Sequence, residues 1–159
     1  MEVRRKLEYW LPVVLWMGFI YWMSTESFSA QHTLKVLRWG LHFLFGSVSP
    51  KTIFLVHEIV RKSAHVTEYF ISGLLLFRAF RGSMNDRSHW HWALFSMGVI
   101  VLLALSDEFH QTFISSRTPS MIDVGIDSFG GFLAQCVQVA WNYWRIARPV
   151  QGSVADYTG

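Results

Sequence analysis

The sequence predicts an all-α polytopic membrane bundle: four transmembrane helices, with an interfacial amphipathic helix in the first outer loop. Three observations lead there. Charged residues make up 16% of the 159 residues, against about 25% in an ordinary soluble domain, and long stretches carry none. The 8 Trp and 5 Tyr gather near the ends of those stretches, as interfacial anchors do. Basic residues stand in short clusters flanking the apolar runs rather than along one face, which is the pattern of membrane topology. The apolar fraction of 52% decides nothing by itself, since soluble domains reach about 45–50%.

Each span takes roughly 17–25 mostly apolar residues as helix. The first is expected from about Leu7 to Met23. Arg4, Arg5 and Lys6 ahead of it also suit a secretory signal, but Trp22 and Met23 stand where a cleavage site needs small residues, so the segment reads as a retained anchor. From Gln31 to Phe45, Leu34, Leu37, Leu41, Leu44 and Phe45 recur at helical spacing, with Lys35, Arg38 and His42 opposite. That helix is expected in the outer interface; packing on the bundle with a solvated basic face fits the same spacing. The second span belongs to a longer helix, about Pro50 to Phe80, with Ser49 as N-cap and Pro50 as its first residue. The third is expected from about Trp90 to Ser106 and the fourth from about Met121 to Trp144. Residues 1–148 form one domain in this reading, and 149–159, without apolar periodicity, a loose cytoplasmic tail.

Outside the spans or at their ends, Arg4, Arg5, Lys6, Arg78, Arg81, Arg87, Arg145 and Arg148 fall on one side, and Lys35, Arg38, Lys51 and Arg117 on the other. Eight against four places both termini in the cytoplasm. A net charge of +3 split this way does not suit nucleic acid. The single cysteine, Cys136, excludes an intrachain disulfide and any multi-cysteine metal site, and the composition excludes a disordered chain or a conventional soluble enzyme.

Function is sought where polar residues are expensive. Glu58, Arg61, Lys62, His65, Glu68, Tyr69 and Ser72 recur at steps of three and four in the second span and share one stripe. An ionised side chain deep in a bilayer costs at least a few kcal/mol unless paired or hydrated, so the stripe should face the bundle interior or a wet cavity. Ion pairing that merely joins helices is the plainer alternative. His57-Glu58 is not a zinc-protease helix, because position 61 is Arg. A second cluster holds Asp107, Glu108, His110, Gln111 and Arg117 in an outer turn, followed by Asp123 and Asp127 one helical turn apart. Ser120 and Asp123 have the spacing of a capping box, whereas Asp127 lies a turn deeper without that explanation. Gly130 and Ala134 form a small-xxx-small pair suited to close helix packing. By the topology above, the two clusters meet at the outer leaflet. His32, His42, His89 and His91 read as surface residues.

These residues resemble the VanZ-like family of small bacterial integral membrane proteins. The likeness rests on Arg61, Lys62, His65 and Tyr69, then Asp107, Glu108 and Gln111, then Arg117, then Asp123, Asp127 and Gly130. Ser24 matches the family's polar residue after the first span, and the likeness covers about Leu7 to Trp144. It implies the bacterial cytoplasmic membrane and a link to resistance to the glycopeptide teicoplanin. It also implies a helical scaffold proposed to be shared with enzymes acting on lipid head groups.

A phosphate-bearing lipid or lipid-linked precursor head group would suit Ser24, Arg61, Lys62 and Arg117 as its grip. The catalytic candidates are His65 or His110 as nucleophile or acid-base, oriented by Asp107 or Glu108, with Glu68, Tyr69 and Gln111 beside them. Asp123 and Asp127 are candidates for a divalent cation. The favoured reading is a lipid head-group transferase or hydrolase. The rivals are a non-catalytic binder of an envelope precursor, and a proton-coupled transporter or flippase relaying through His65, Glu68 and Asp127. A homodimer would suit the last.

Overall fold

A computed structural model describes residues 2–23, 30–84, 89–113 and 120–147. Among these the chain is all-α: α1 Glu2–Met23, α2 Ala30–Phe45, α3 Pro50–Met84, α4 His89–Gln111 and α5 Met121–Ala147. The tail and the loop carrying Arg117, like Ser24, lie outside the described residues.

Local chemistry sets the helix ends. Gly46 adopts φ 72°, a left-handed conformation that glycine takes without Cβ strain. It ends α2 by donating its N–H to the His42 carbonyl at 3.0 Å, while His42 Nδ1 donates to the Gly46 carbonyl at 2.7 Å. His42, read as a surface residue, is thus part of the α2 C-cap. Three residues on, Ser49 Oγ accepts from the Thr52 N–H at 3.2 Å, and Pro50 opens α3 as the sequence predicts. The two helices meet at 119°.

α3 is the central element, packed against each of the other four helices. Its 35 residues span about 52 Å at 1.5 Å per residue, well beyond a hydrocarbon layer of about 30 Å. Contacts between α3 and α5 rise together in number, Arg61 with Asp123, His65 with Asp127, Gln135 with Gly73 and Arg81 with Asn142, so the two helices run parallel. α1 runs antiparallel to α3, with Trp16 Nε1 donating to the Glu68 carbonyl at 3.1 Å. α4 runs antiparallel to α5, tied at its start by Trp90 Nε1 donating to Tyr143 Oη at 3.2 Å and at its end by Glu108. The start of α1, the end of α3 and the end of α5 therefore share one end of the bundle, rich in arginine. His65 lies toward the opposite end.

Small residues let α3 and α5 approach. A Cβ on Gly130 would collide with the Val66 carbonyl oxygen, and one on Gly73 would stand 2.6 Å from the Ala134 Cβ. The predicted Gly130 and Ala134 pair is therefore a helix contact, one residue from His65 on the α3 side. The apolar core is built around Val13, Tyr69, Leu76, Ile100 and Ala104. Polar groups share that interior: Ser72, Ser96, Gln111 and Asp127 are wholly buried. Large apolar side chains such as Leu11, Leu15, Leu94, Leu102, Phe129 and Phe132 point outward.

By length and composition, one described helix, Trp90–Gln111, suffices to cross a membrane, and the bent α2–α3 pair is a second if taken as one broken span. Four were expected. The shortfall has a physical origin in composition: Trp and Tyr lower the hydropathy of α1, and the inward polar residues lower that of α3 and α5. α2 contacts α3, with Leu34, Leu37 and Leu41 half-buried, but Leu44 and Phe45 of its expected apolar face are exposed together with Val36, Trp39 and Phe43.

Candidate functional site

The site is a two-rung ladder between parallel helices. On α3, Arg61 and His65 are four residues apart and so face the same way; Asp123 and Asp127 repeat that spacing on α5. Arg61 Nη2 donates to Asp123 Oδ2 at 2.9 Å, and His65 Nδ1 lies 3.0 Å from Asp127 Oδ1. An ionised carboxylate can only accept, so Nδ1 donates to Asp127 and Nε2 is the ring nitrogen left for another partner. Asp127 is wholly buried, whereas the Arg61 and Asp123 side chains are 27% and 14% exposed. The His65 side chain is 13% exposed, so the rungs differ chiefly in the dry Asp127 carboxylate and the wetter Arg61 guanidinium.

α4 adds acceptors beside it. Gln111 Nε2 donates to Asp107 Oδ2 at 2.8 Å. Glu108 Oε2 accepts from the Ser120 N–H at 2.7 Å, which stitches the end of α4 to the N-cap of α5. Buried Asp127 Oδ2, Gln111 Oε1 and Glu108 Oε1 make no hydrogen bond among the described residues. They offer three acceptor positions for hydroxyl or amide donors.

Tyr69, one turn below His65 and 2% exposed, reaches a different feature. With Asp107 it lines a cleft of about 410 Å³ whose other lining residues include Val14, Met17, Ile20 and Leu103. Apolar on its α1 side and polar where it meets Tyr69 and Asp107, the cleft has the character of an amphiphile's slot.

The structure brings together His65, Arg61, Asp123 and Asp127 as one group, and Asp107 with Gln111 as another. It separates others that the sequence groups with them. His110 Nε2 lies 3.1 Å from Tyr21 Oη, at the α1–α4 seam, so its ring partners α1 rather than the ladder. Glu68 lines another cleft with Trp16, Phe19 and Thr67, although its charge still reaches His65. Lys62 is exposed beside the ladder. The capping box expected of Ser120 and Asp123 is replaced: Asp123 turns to Arg61, and Glu108 takes the Ser120 N–H that a reciprocal box residue would hold. Among the described residues no three His, Cys, Asp or Glu side chains converge as metal ligands, because Asp123 and Asp127 each face a nitrogen partner.

Sequence reasoning missed His57. It is 3% exposed, and it precedes Arg61 and His65 by steps of four on the same face, a spacing that was available to find it. Its Nδ1 lies 3.7 Å from Glu58 Oε1.

The described helices form an all-α bundle with ionisable pairs between α3 and α5 and one helix apolar and long enough to cross a membrane, the character of a small helical membrane protein. The chain belongs to the VanZ/LLP1 family, whose pattern matches residues 9–142. No curated protein and no solved structure matches it.

Proposed function

We propose that the chain crosses the bacterial cytoplasmic membrane four times with both termini inside, and acts at the outer leaflet on a phosphate-bearing lipid or lipid-linked envelope precursor. The alternating directions of α1, α3, α4 and α5 support four crossings, as does the outward apolar surface of α1, α4 and α5. The observation that carries the chemistry is the His65–Asp127 pair, its carboxylate wholly buried, one turn from the cleft that ends on Tyr69 and Asp107. An amphiphile would lay its chain in that cleft and its head group at the ladder.

Held by Asp127, His65 suits a general base. Its Nε2 would take the proton of an attacking hydroxyl; a new P–O bond forms as the bond to the leaving oxygen breaks, and that oxygen receives the proton. Arg61, Lys62 and Arg117 would offset the phosphate charge, guanidinium giving a bidentate fork. Family membership supports a tie to glycopeptide resistance, exerted through the envelope.

The test is turnover of phosphatidylglycerol and of an isoprenoid diphosphate by the full chain in nanodiscs, with products read by mass spectrometry. Replacing His65 by Asn should lower turnover about 100-fold or more. Saturable binding without turnover would instead make the protein a binder, and proton flux in liposomes a transporter.

A further inference from the structure

The arginine-rich end holds a second cavity, of about 530 Å³ and lined by residues of α1, α3 and α5. Arg5, Arg78, Arg81 and Arg145 all face it, with Tyr9 and Trp141, and none of its lining residues is a carboxylate. Arg81 lies 20 positions beyond Arg61 on α3, about 30 Å along the helix, so this cavity is remote from the ladder.

Topology alone asks for basic residues near the ends of spans, anywhere in the short loops. It does not ask that they converge from three helices, nor that they be held. Here they are held. Arg81 Nη1 donates to Asn142 Oδ1, and Asn142, 3% exposed, is fixed by donating from Nδ2 to the Gln138 carbonyl at 2.7 Å. The Arg78 guanidinium stands 5.2 Å from the centre of the Tyr9 ring, and that ring packs so closely on Gly82 that a Cβ there would collide with it. Spending a buried amide and an aromatic face to orient guanidinium groups around a cavity is the arrangement of a phosphate clamp. Like charges so placed repel, and a bound anion relieves the repulsion.

We propose that this cavity binds a phosphate group, that of an anionic phospholipid head at the leaflet opposite the ladder. Trp141, exposed and lining the cavity, stacks toward Trp144 as interfacial aromatics do, which suits a clamp at head-group depth. Basic pockets between membrane helices hold such heads elsewhere.

The experiment titrates the purified full chain in detergent with phosphatidylglycerol, cardiolipin and phosphatidylcholine, reading bound lipid by native mass spectrometry, with inorganic phosphate as competitor. Anionic lipid should be retained about tenfold over phosphatidylcholine. Arg145→Gln and Arg78→Gln should each weaken it about fivefold, the effect of about 1 kcal/mol per basic residue. Arg38→Gln, on exposed α2, should leave it unchanged. Displacement by millimolar phosphate, with no preference among lipids but the same arginine dependence, would keep the phosphate clamp and assign it a soluble anion. Equal retention of all three lipids with no effect of phosphate would overturn the proposal without any variant. So would equal losses from Arg38→Gln and Arg145→Gln, which would mean diffuse surface charge.

Discussion

His65 Nδ1 and Asp127 Oδ1 meet at 3.0 Å across the α3–α5 seam, with the carboxylate wholly buried. Asparagine at 127 still offers an oxygen to Nδ1 but no charge, so Asp127→Asn should keep the fold and lose lipid turnover. His65→Ala strands a buried carboxylate and should destabilise by about 3–5 kcal/mol. Melting in detergent and head-group turnover, measured on both variants, check this pair. Equal and large drops in melting temperature would make the pair a structural strut.

The approach of α3 to α5 at Gly130 sets the register of the ladder. Because a Cβ there would collide with the Val66 carbonyl, Gly130→Ala should destabilise by about 1–3 kcal/mol through overpacking. Gly125, with nothing within 4 Å of a Cβ, is the matched control. There alanine should gain about 0.5–1 kcal/mol from helix propensity. Thermal melting of the two variants should therefore move in opposite directions.

Much of the fold was legible because spacing reports facing. The Arg61–His65 step of the α3 stripe, the Asp123–Asp127 repeat, Ser49 with Pro50, and the Gly130–Ala134 pair are all local patterns with counterparts in the structure, whereas Lys62 of the same stripe is exposed. What spacing does not report is the partner across a seam. Glu108 and His110 stand two residues apart on α4, yet one closes onto Ser120, the N-cap of α5, and the other onto Tyr21 of α1. Glu68 lies next to Tyr69 in sequence but opens onto another cleft. The Arg81–Asn142 contact joins residues with 60 positions between them, and neither residue has a local pattern beyond charge and polarity. The four expected spans are not matched by hydropathy, which marks Trp90–Gln111 alone or with the bent α2–α3 pair; a helix that buries polar groups against its neighbours scores as less apolar than its outward face.

The outer rung should be coupled but less costly to break. Arg61 and Asp123 are partly exposed, so solvent offsets some of the loss when either is removed. Arg61→Gln and Asp123→Asn, alone and together, should give a coupling energy of about 0.5–3 kcal/mol in a double-mutant cycle read by melting. A head group that competes for Arg61 should reduce that coupling when phosphatidylglycerol is added; coupling indifferent to lipid would separate the rung from the site.

Orientation follows from the same contacts. The start of α1 and the ends of α3 and α5 share the arginine-rich end, while the α4–α5 connection lies at the other, so one labelled loop fixes the placement of both cavities. On the proposed topology, with eight basic residues against four, the arginine-rich end is expected in the cytoplasm. Cys136 is exposed on α5 and must first be replaced by Ala. A cysteine then introduced at Ser115 should react with a membrane-impermeant maleimide on intact cells, and one at Val154 only after the inner face is opened. The reverse pattern would move the His65–Asp127 ladder to the inner leaflet, and with it any substrate that is confined to the outer one.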